Sequence, residues 1–397
     1  MGTAAGTLTA AQQAQQANAM ARALIAAKSV RMTQQIFSQT VVPANQSVVN
    51  VIPRMVGLIM GFWVKVVSSI QNTTGAGTAI TPSDFGAANL LSQIQFTDLN
   101  NLVRIQTTGW HLNFINSIKG RMPYAMALLN TTMDGIDIAG AYGANWTVIN
   151  QPASIADTTT GVVTMWYYVP LSYSDGDYRG SVFANVVNAT MQLQLTINTT
   201  PVGVSTADTT NSVYKAAAGA GTNTSTTITV YQDYLDQLPM GNGQFILPML
   251  DLSTIYELKY TTFSAIVANN DFPAQYPNFR DFLSTFAIYN ANPASATGRG
   301  VGADINYWSL QAANLTNIFK LEPSLVALRT RNLMQTDFPK GTYYFGSRVK
   351  PISTTQYGNM QLVLNASTAA AGAYMLVGWE DFGLQNVMTQ AGSLPAS

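Results

Sequence analysis

From residue 43 to the end, the chain is a succession of short runs rich in Val, Ile, Thr, Tyr and Phe, separated by Gly, Asn and Pro. The alternation is cleanest in Met191-Gln192-Leu193-Gln194-Leu195-Thr196-Ile197, where every second residue is apolar. A period of two places those apolar residues on one face of a β-strand and the polar ones on the other. By the same pattern, strands are expected at 48–52, 57–67, 91–96, 109–114, 162–169, 191–197, 226–231, 245–250, 255–263, 283–289, 342–345, 360–364 and 374–380. Short helices are expected near 324–335 and 234–238.

The first forty residues differ. Ala, Gln, Met and Leu dominate from Thr9 to Gln35, Gly and Pro are absent, and Thr9 can cap a helix. Met20, Leu24, Ile25, Met32 and Ile36 form a narrow apolar stripe, which predicts an arm that docks on something rather than a core helix.

Many short strands with turn-rich connections predict sandwiches or jelly rolls. A length of 397 residues exceeds what one hydrophobic core usually serves, so two domains are expected. A faint repeat supports a duplication. Residues 91–96 resemble 283–288, and residues 191–195 resemble 360–364, in the same order along the chain. The stretches 140–160 and 200–225, rich in small and polar residues, are expected to be long surface loops.

Composition changes the picture in one respect. Charged residues make up 10% of the chain, against about 25% in a typical soluble protein. The most apolar window, 55–67, is interrupted by Lys65 and is shorter than the ~20 residues a spanning helix needs. A weakly charged surface suits a protein that buries much of its outside against neighbours. The 19 basic and 19 acidic residues balance, but unevenly. No Asp or Glu precedes Asp84, while Arg22, Lys28, Arg31, Arg54 and Lys65 do. That basic start favours an anionic neighbour such as a lipid headgroup layer or nucleic acid.

Candidate chemistry is sparse. There is no cysteine, so disulfides and thiolate chemistry are excluded. His111 is the single histidine, which removes multi-histidine metal sites. It sits in Gly109-Trp110-His111-Leu112-Asn113-Phe114, an alternating pattern expected to be a strand, with the histidine hydrogen-bonded inside a sheet. The acidic pairs are Asp134/Asp137, Asp175/Asp177, Asp233/Asp236 and Glu380/Asp381. Ser174-Asp175-Gly176-Asp177 lacks the further ligands of a calcium loop and is expected to be a turn. Asp233 and Asp236 could in principle serve glycoside hydrolysis, but spacing alone does not set them across a cleft. Gly298-Arg299-Gly300-Val301-Gly302 lacks the Lys-Ser/Thr of a phosphate loop. No catalytic residue, cofactor site or metal site is expected.

Several segments resemble, in order, the tectivirus major capsid protein family. They are Asp84-Phe85-Gly86 with Ala88-Asn89-Leu90, Gly109-Trp110-His111-Leu112, Val169-Pro170-Leu171, and Val230-Tyr231-Gln232-Asp233-Tyr234-Leu235-Asp236-Gln237-Leu238-Pro239. Ile246-Leu247-Pro248, Asp251-Leu252-Ser253-Thr254-Ile255-Tyr256, Asp304-Ile305-Asn306-Tyr307, Thr336-Asp337-Phe338-Pro339-Lys340-Gly341 and Gln356-Tyr357-Gly358-Asn359 continue the series.

The resemblance implies a mainly β double jelly roll, two tandem eight-stranded units behind an N-terminal helical arm. On this reading 1–42 is the arm, 43–240 the first jelly roll, 241–385 the second and 386–397 a tail. It further implies a homotrimer with pseudo-hexagonal outline that tiles an icosahedral shell over an internal membrane enclosing double-stranded DNA. Expected partners are neighbouring capsomers, minor capsid proteins and membrane lipids, with no sequence-specific nucleic-acid binding. The location implied is the virion, assembled in the bacterial cytoplasm. The arm is expected to face lipid through Arg22, Lys28 and Arg31. The competing readings are a trimeric receptor-binding spike or a carbohydrate-binding β-sandwich.

Overall fold

The computed structural model describes residues 9–75, 77–122, 151–186, 190–204, 210–216, 220–295, 298–313, 315–334, 339, 341–346 and 351–384. Eight strands build the first half: β1 (Val30–Val41), β2 (Val48–Val51), β3 (Leu58–Asn72), β4 (Leu91–Thr97), β5 (Val103–Thr107), β6 (Thr160–Pro170), β7 (Gln192–Ile197) and β8 (Gly221–Asp236). Eight more build the second: β9 (Thr254–Ser264), β10 (Asp271–Gln275), β11 (Arg280–Asn290), β12 (Ile305–Ala312), β13 (Leu315–Leu321), β14 (Thr342–Gly346), β15 (Met360–Ala366) and β16 (Tyr374–Leu384).

The first eight form two sheets, ordered β1-β8-β3-β6 and β2-β7-β4-β5. The second eight repeat that order eight numbers on, as β9-β16-β11-β14 and β10-β15-β12-β13. Each half is therefore a jelly roll, two four-stranded antiparallel sheets packed face to face. The rolls join edge to edge. β5 and β9 pair in parallel, Leu258 with Ile105 and Lys259 with Gln106, so two four-stranded sheets fuse into one. Each roll also inserts a helix after its fifth strand: α2 (Gly109–Ile118) follows β5 and α3 (Pro323–Met334) follows β13.

Central strands obey the alternation. In β3 residues alternate buried and half-buried from Phe62 onward, with Phe62, Val64 and Val66 inward and Trp63, Lys65 and Val67 outward. The most apolar window of the chain is thus the middle of a sheet. One hydrophobic cluster fills the first roll and continues across the seam to Tyr256, Leu258, Phe286, Ile288 and Leu376 of the second. The neighbouring Ala287, Tyr289, Met375 and Val377 turn the other way, into the second roll's own core.

Several expectations are corrected. The arm helix, α1 (Ala10–Lys28), stops at Lys28, where Ser29 turns extended. Residues 30–41 are strand β1, and 11 of them pair with β8. Pairing with Thr226–Asp236 overrides the mild helix preference of Met and Gln, and Val30, Thr33, Ile36 and Thr40 are good strand residues. The first strand of the first roll thus starts at Val30, and that of the second at Thr254.

His111 lies on helix α2, not on a strand. Thr108 caps the helix by accepting from the His111 N–H, and Gly109 through Asn116 are all buried, so the helix needs no polar face. Residues 234–236 continue β8 and 237–238 lie just beyond its end, so no helix forms there, and 245–250 break after Phe245 into a helical turn at Met249–Leu252. Residues 200–225 are not one loop. Tyr214–Ala216 pairs with Val202–Val204 on one side and with Thr81–Pro82 on the other. Within 140–160, residues 140–150 lie outside the described residues, as does the tail 386–397.

The two repeat matches separate. Residues 192–195 and 360–364 are the seventh strands of their rolls. Residues 91–96 lie in a fourth strand and 283–288 in a third, so that likeness is not a structural equivalence.

One glycine shows how tight the seam is. A Cβ at Gly378 of β16 would lie 2.6 Å from three ring atoms of His111. Gly378→Ala should lower the melting temperature by an amount equivalent to about 1–3 kcal/mol, the usual cost of overpacking. His111→Ala in that background should recover part of the loss, as calorimetry would read.

Candidate assembly surfaces

Helix α1 reaches the body through a narrow strip. Thr9 and Gln12 form a capping box, and only Ala21 and Ile25 are buried. Ile25 packs with Leu58, Met60, Tyr178 and Leu238. Beside it, Arg22 makes a two-pronged contact with Asp251, with Nε to Oδ2 and Nη2 to Oδ1 both at 2.5 Å. Asn18 also donates to Asp251 at 3.0 Å and accepts from the Leu250 N–H at 3.0 Å. Arg22 further approaches Asp177 at 3.4 Å. The hydrogen bond that Arg22 donates to Asp251 is the main reason that Arg22 holds its proton more tightly than usual.

Arg31 repeats the arrangement on β1. Its Nε and Nη2 donate to Asp233 at 3.0 and 2.6 Å, and its Nη1 stands 3.1 Å from Asp175. Asp233 is fully buried, and its hydrogen bonds to Arg31 raise the guanidinium pKa. Two of the three cations assigned to lipid are thus held by carboxylates more than 200 residues away, which spacing could not reveal. Lys28, in the last turn of α1, is exposed and has no ion-pair partner among the described residues.

The seam between the rolls is the second surface. Trp110 and Phe114 of α2 fill it, 5.7 and 5.8 Å from the Phe85 ring, and Phe114 lies 5.2 Å from Phe286 of the second roll. His111 bonds Thr107 Oγ1 through Nδ1 at 2.6 Å. Burial drives its pKa down to about 3, against the raising influence of Glu380, so the ring is neutral.

Most charges buried here are paired, as low-dielectric surroundings demand, and Asp381 is the exception. Glu380 accepts from Tyr256 at 2.6 Å, from Ser284 at 2.9 Å and from Lys119. Burial alone would raise Glu380, but Lys119 and the hydrogen bonds outweigh it and hold the carboxylate below its ordinary range. Arg104 binds Asp98 at 2.6 Å and the Gly180 carbonyl at 2.9 Å. Arg280 stands 3.3 Å from Glu257. Asp381 lies opposite Glu257 in the sheet register and takes a hydrogen bond from Trp379 Nε1 at 3.0 Å. Burial first, then Glu257, pushes Asp381 up to about 7.

The remaining candidates for chemistry are absorbed by structure. Asp177 is bound by Arg179 and Arg22, and Asp175 by Arg31. Asp233 is in its arginine pair, whereas Asp236 accepts from the N–H of Gln237. Arg299, within the glycine-rich turn, pairs with Asp84 and lies over the Phe85 ring. Asp134 and Asp137 lie outside the described residues. Among the described residues no group of three His, Cys, Asp or Glu side chains could hold a metal, and no helix is long and apolar enough to cross a membrane.

Asp381 gives a pH-dependent prediction. Its folded pKa lies above the unfolded value of 3.8, so the folded state holds a proton that the unfolded state releases. That contribution is complete below about pH 4 and is lost as pH rises through about 7. Asp381→Asn should therefore gain on the parent by an amount on the order of a few kcal/mol between about pH 4 and pH 8, read as the difference in denaturation midpoints.

Residues 3–238 match the model of the P3 major capsid protein N-terminal domain, and residues 253–396 that of its C-terminal domain. The gap between the two matches is the linker to which α1 is fastened. Major capsid protein P3 of Enterobacteria phage PRD1 is 39% identical over 386 residues, covering 96% of this chain and 95% of that protein. In architecture, the chain resembles a chain of the Sulfolobus Turreted Icosahedral Virus structure, with a TM-score of 0.62 at 11% identity over 92% of this chain and 94% of that one. It also resembles the quasi-atomic PBCV-1 virus capsid, with a TM-score of 0.54 at 10% identity over 89% and 94%. The chain belongs to the P3 major capsid protein family, and it is a structural component of a phage virion with a double jelly-roll fold.

Proposed function

We propose that three copies form a pseudo-hexameric capsomer, and that capsomers tile an icosahedral shell over an internal lipid membrane enclosing double-stranded DNA. The observation that carries this reading is the repeated roll. One chain supplies two blocks with the same strand order, joined side by side, so three chains would supply six. The low content of charge lets neighbouring capsomers and minor capsid proteins bury area without desolvating many ions. Light scattering on purified protein should give the mass of three chains at micromolar concentration, and a stable single chain would overturn the trimer.

The membrane part of the proposal rests on Lys28. With Arg22 and Arg31 satisfied inside the chain, Lys28 is the arm cation left to meet an anionic headgroup. A cation near such a surface contributes ~1 kcal/mol, so Lys28→Glu should weaken flotation with anionic vesicles by about fivefold. Equal flotation of the parent with neutral and anionic vesicles would remove the lipid role.

A further inference from the structure

The two sheets of a jelly roll stand about 10 Å apart, and side chains from both must fill the space between them. At one end of the second roll the filling is incomplete. There β11 offers only small side chains beyond Phe282: Thr285, which bonds Tyr276 of the core, and Ala287. Its pairing with β16 slips between Phe282 and Ser284, so Leu283 has no partner across that ladder. The neighbouring strand β14 ends on Gly346, opposite Ser284, and contributes no side chain at that position.

Large rings stand to either side of this thin place. Tyr276 lies 4.5 Å from Phe282, and Phe319 of β13 stacks on Phe345 of β14 at 5.5 Å and 11°. Between the two pairs remains a cavity of about 150 Å³, closed on the far side by Leu310, Met360 and Leu362 of β12 and β15.

The walls decide what this space can hold. No lining residue is charged. The three hydroxyls that reach it are already engaged. Ser284 donates to Glu380 at 2.9 Å, and Tyr276 and Thr285 share a hydrogen bond of 2.8 Å. A buried water needs about two to four polar partners, and these walls have none to spare. An apolar cavity of roughly this volume stays dry and takes molecules such as benzene or xenon. There is also a way in. The deep wall of Met360 and Leu362 is buried, whereas Phe319, Phe345 and Ile352 are half-buried and Gly346 is exposed, so the space opens along that rim.

We propose that the second jelly roll binds a small uncharged apolar molecule, of about the size of a benzene ring, between β11-β14 and the β10-β15-β12-β13 sheet beside Met360. The ligand supplies the dispersion contacts that Thr285, Ala287 and Gly346 do not make. The site forms only when both sheets are in place, so binding favours the folded chain. It depends on neither the trimer nor the lipid reading.

Benzene is the probe, added to the full chain carrying methyl-labelled methionine. The Met360 methyl resonance is assigned by its loss in Met360→Leu, a swap that nearly conserves volume. Benzene should move the Met360 resonance to a saturating limit and leave Met60 and Met165 of the first roll in place. The melting temperature should rise by on the order of 1–3 °C at a concentration several times the dissociation constant. Leu310→Phe and Ile352→Phe enlarge the wall from opposite sides of the cavity. In either variant, with the first-roll methionine spectrum unchanged to show a native fold, both responses should disappear. Should one variant fail to fold, the other decides. A Met360 resonance that stays still up to the solubility limit of benzene overturns the site. So does a shift of equal size at Met60 and Met165, or a response that survives in the filled variants.

Discussion

The seam between β5 and β9 is the constraint on which the rest of the molecule depends. A sheet edge is a row of unpaired donors and acceptors, and two jelly rolls bring many such edges. Here one edge of each roll satisfies the other, but only two residue pairs span the joint. So short a ladder cannot hold two domains by its hydrogen bonds alone, since each contributes roughly 1 kcal/mol net. The burden passes to α2, which drives Trp110 against Tyr260 and Phe114 against Phe286, and to Gly378, whose missing side chain admits the His111 ring. Closure then forces the charges. Once water is excluded, Glu380, Glu257, Asp98 and their cations must satisfy one another, because an orphaned ion at such depth costs about 3–5 kcal/mol.

What could be read from the sequence follows the same physics. Central strands were legible because one or both faces are buried and the apolar residues keep step: β3, β4, β7, β8, β11, β15 and β16 all announce themselves. The strands that escaped are β1, β5, β10, β12 and β13, and four of these are edges of their own roll's sheets. An edge strand has a wetter face and tolerates what a central one does not, as Pro273 in β10 shows. The fifth, β12, is interrupted by an irregularity between Ile305 and Tyr307 that breaks the period of two. The helix at Gly109–Ile118 was mistaken for a strand because a helix buried all round has no polar stripe to betray its period.

The charge asymmetry was legible as a number but not as a geometry. An excess of base before Asp84 suggested an external anion, and much of it turns out to be answered from within. Arg22 meets Asp251 and Arg31 meets Asp233, partners separated by 229 and 202 residues. No local pattern encodes a pairing at that distance. What the imbalance records is that the beginning of the chain must return to fasten on its middle.

That fastening has a mechanical meaning. Arg22 touches Asp177 of the first roll and Asp251 of the segment leading into the second, so one guanidinium spans both. The arm is therefore a splint laid across the elbow of the molecule. While it lies in place, the connecting segment is fastened at Leu250 and Asp251 to the arm and through Arg22 to Asp177 of the first roll. Lifting it would uncover Leu58, Met60, Tyr178 and Leu238 together with the carboxylate of Asp251, so the arm shields apolar and charged groups at the same elbow.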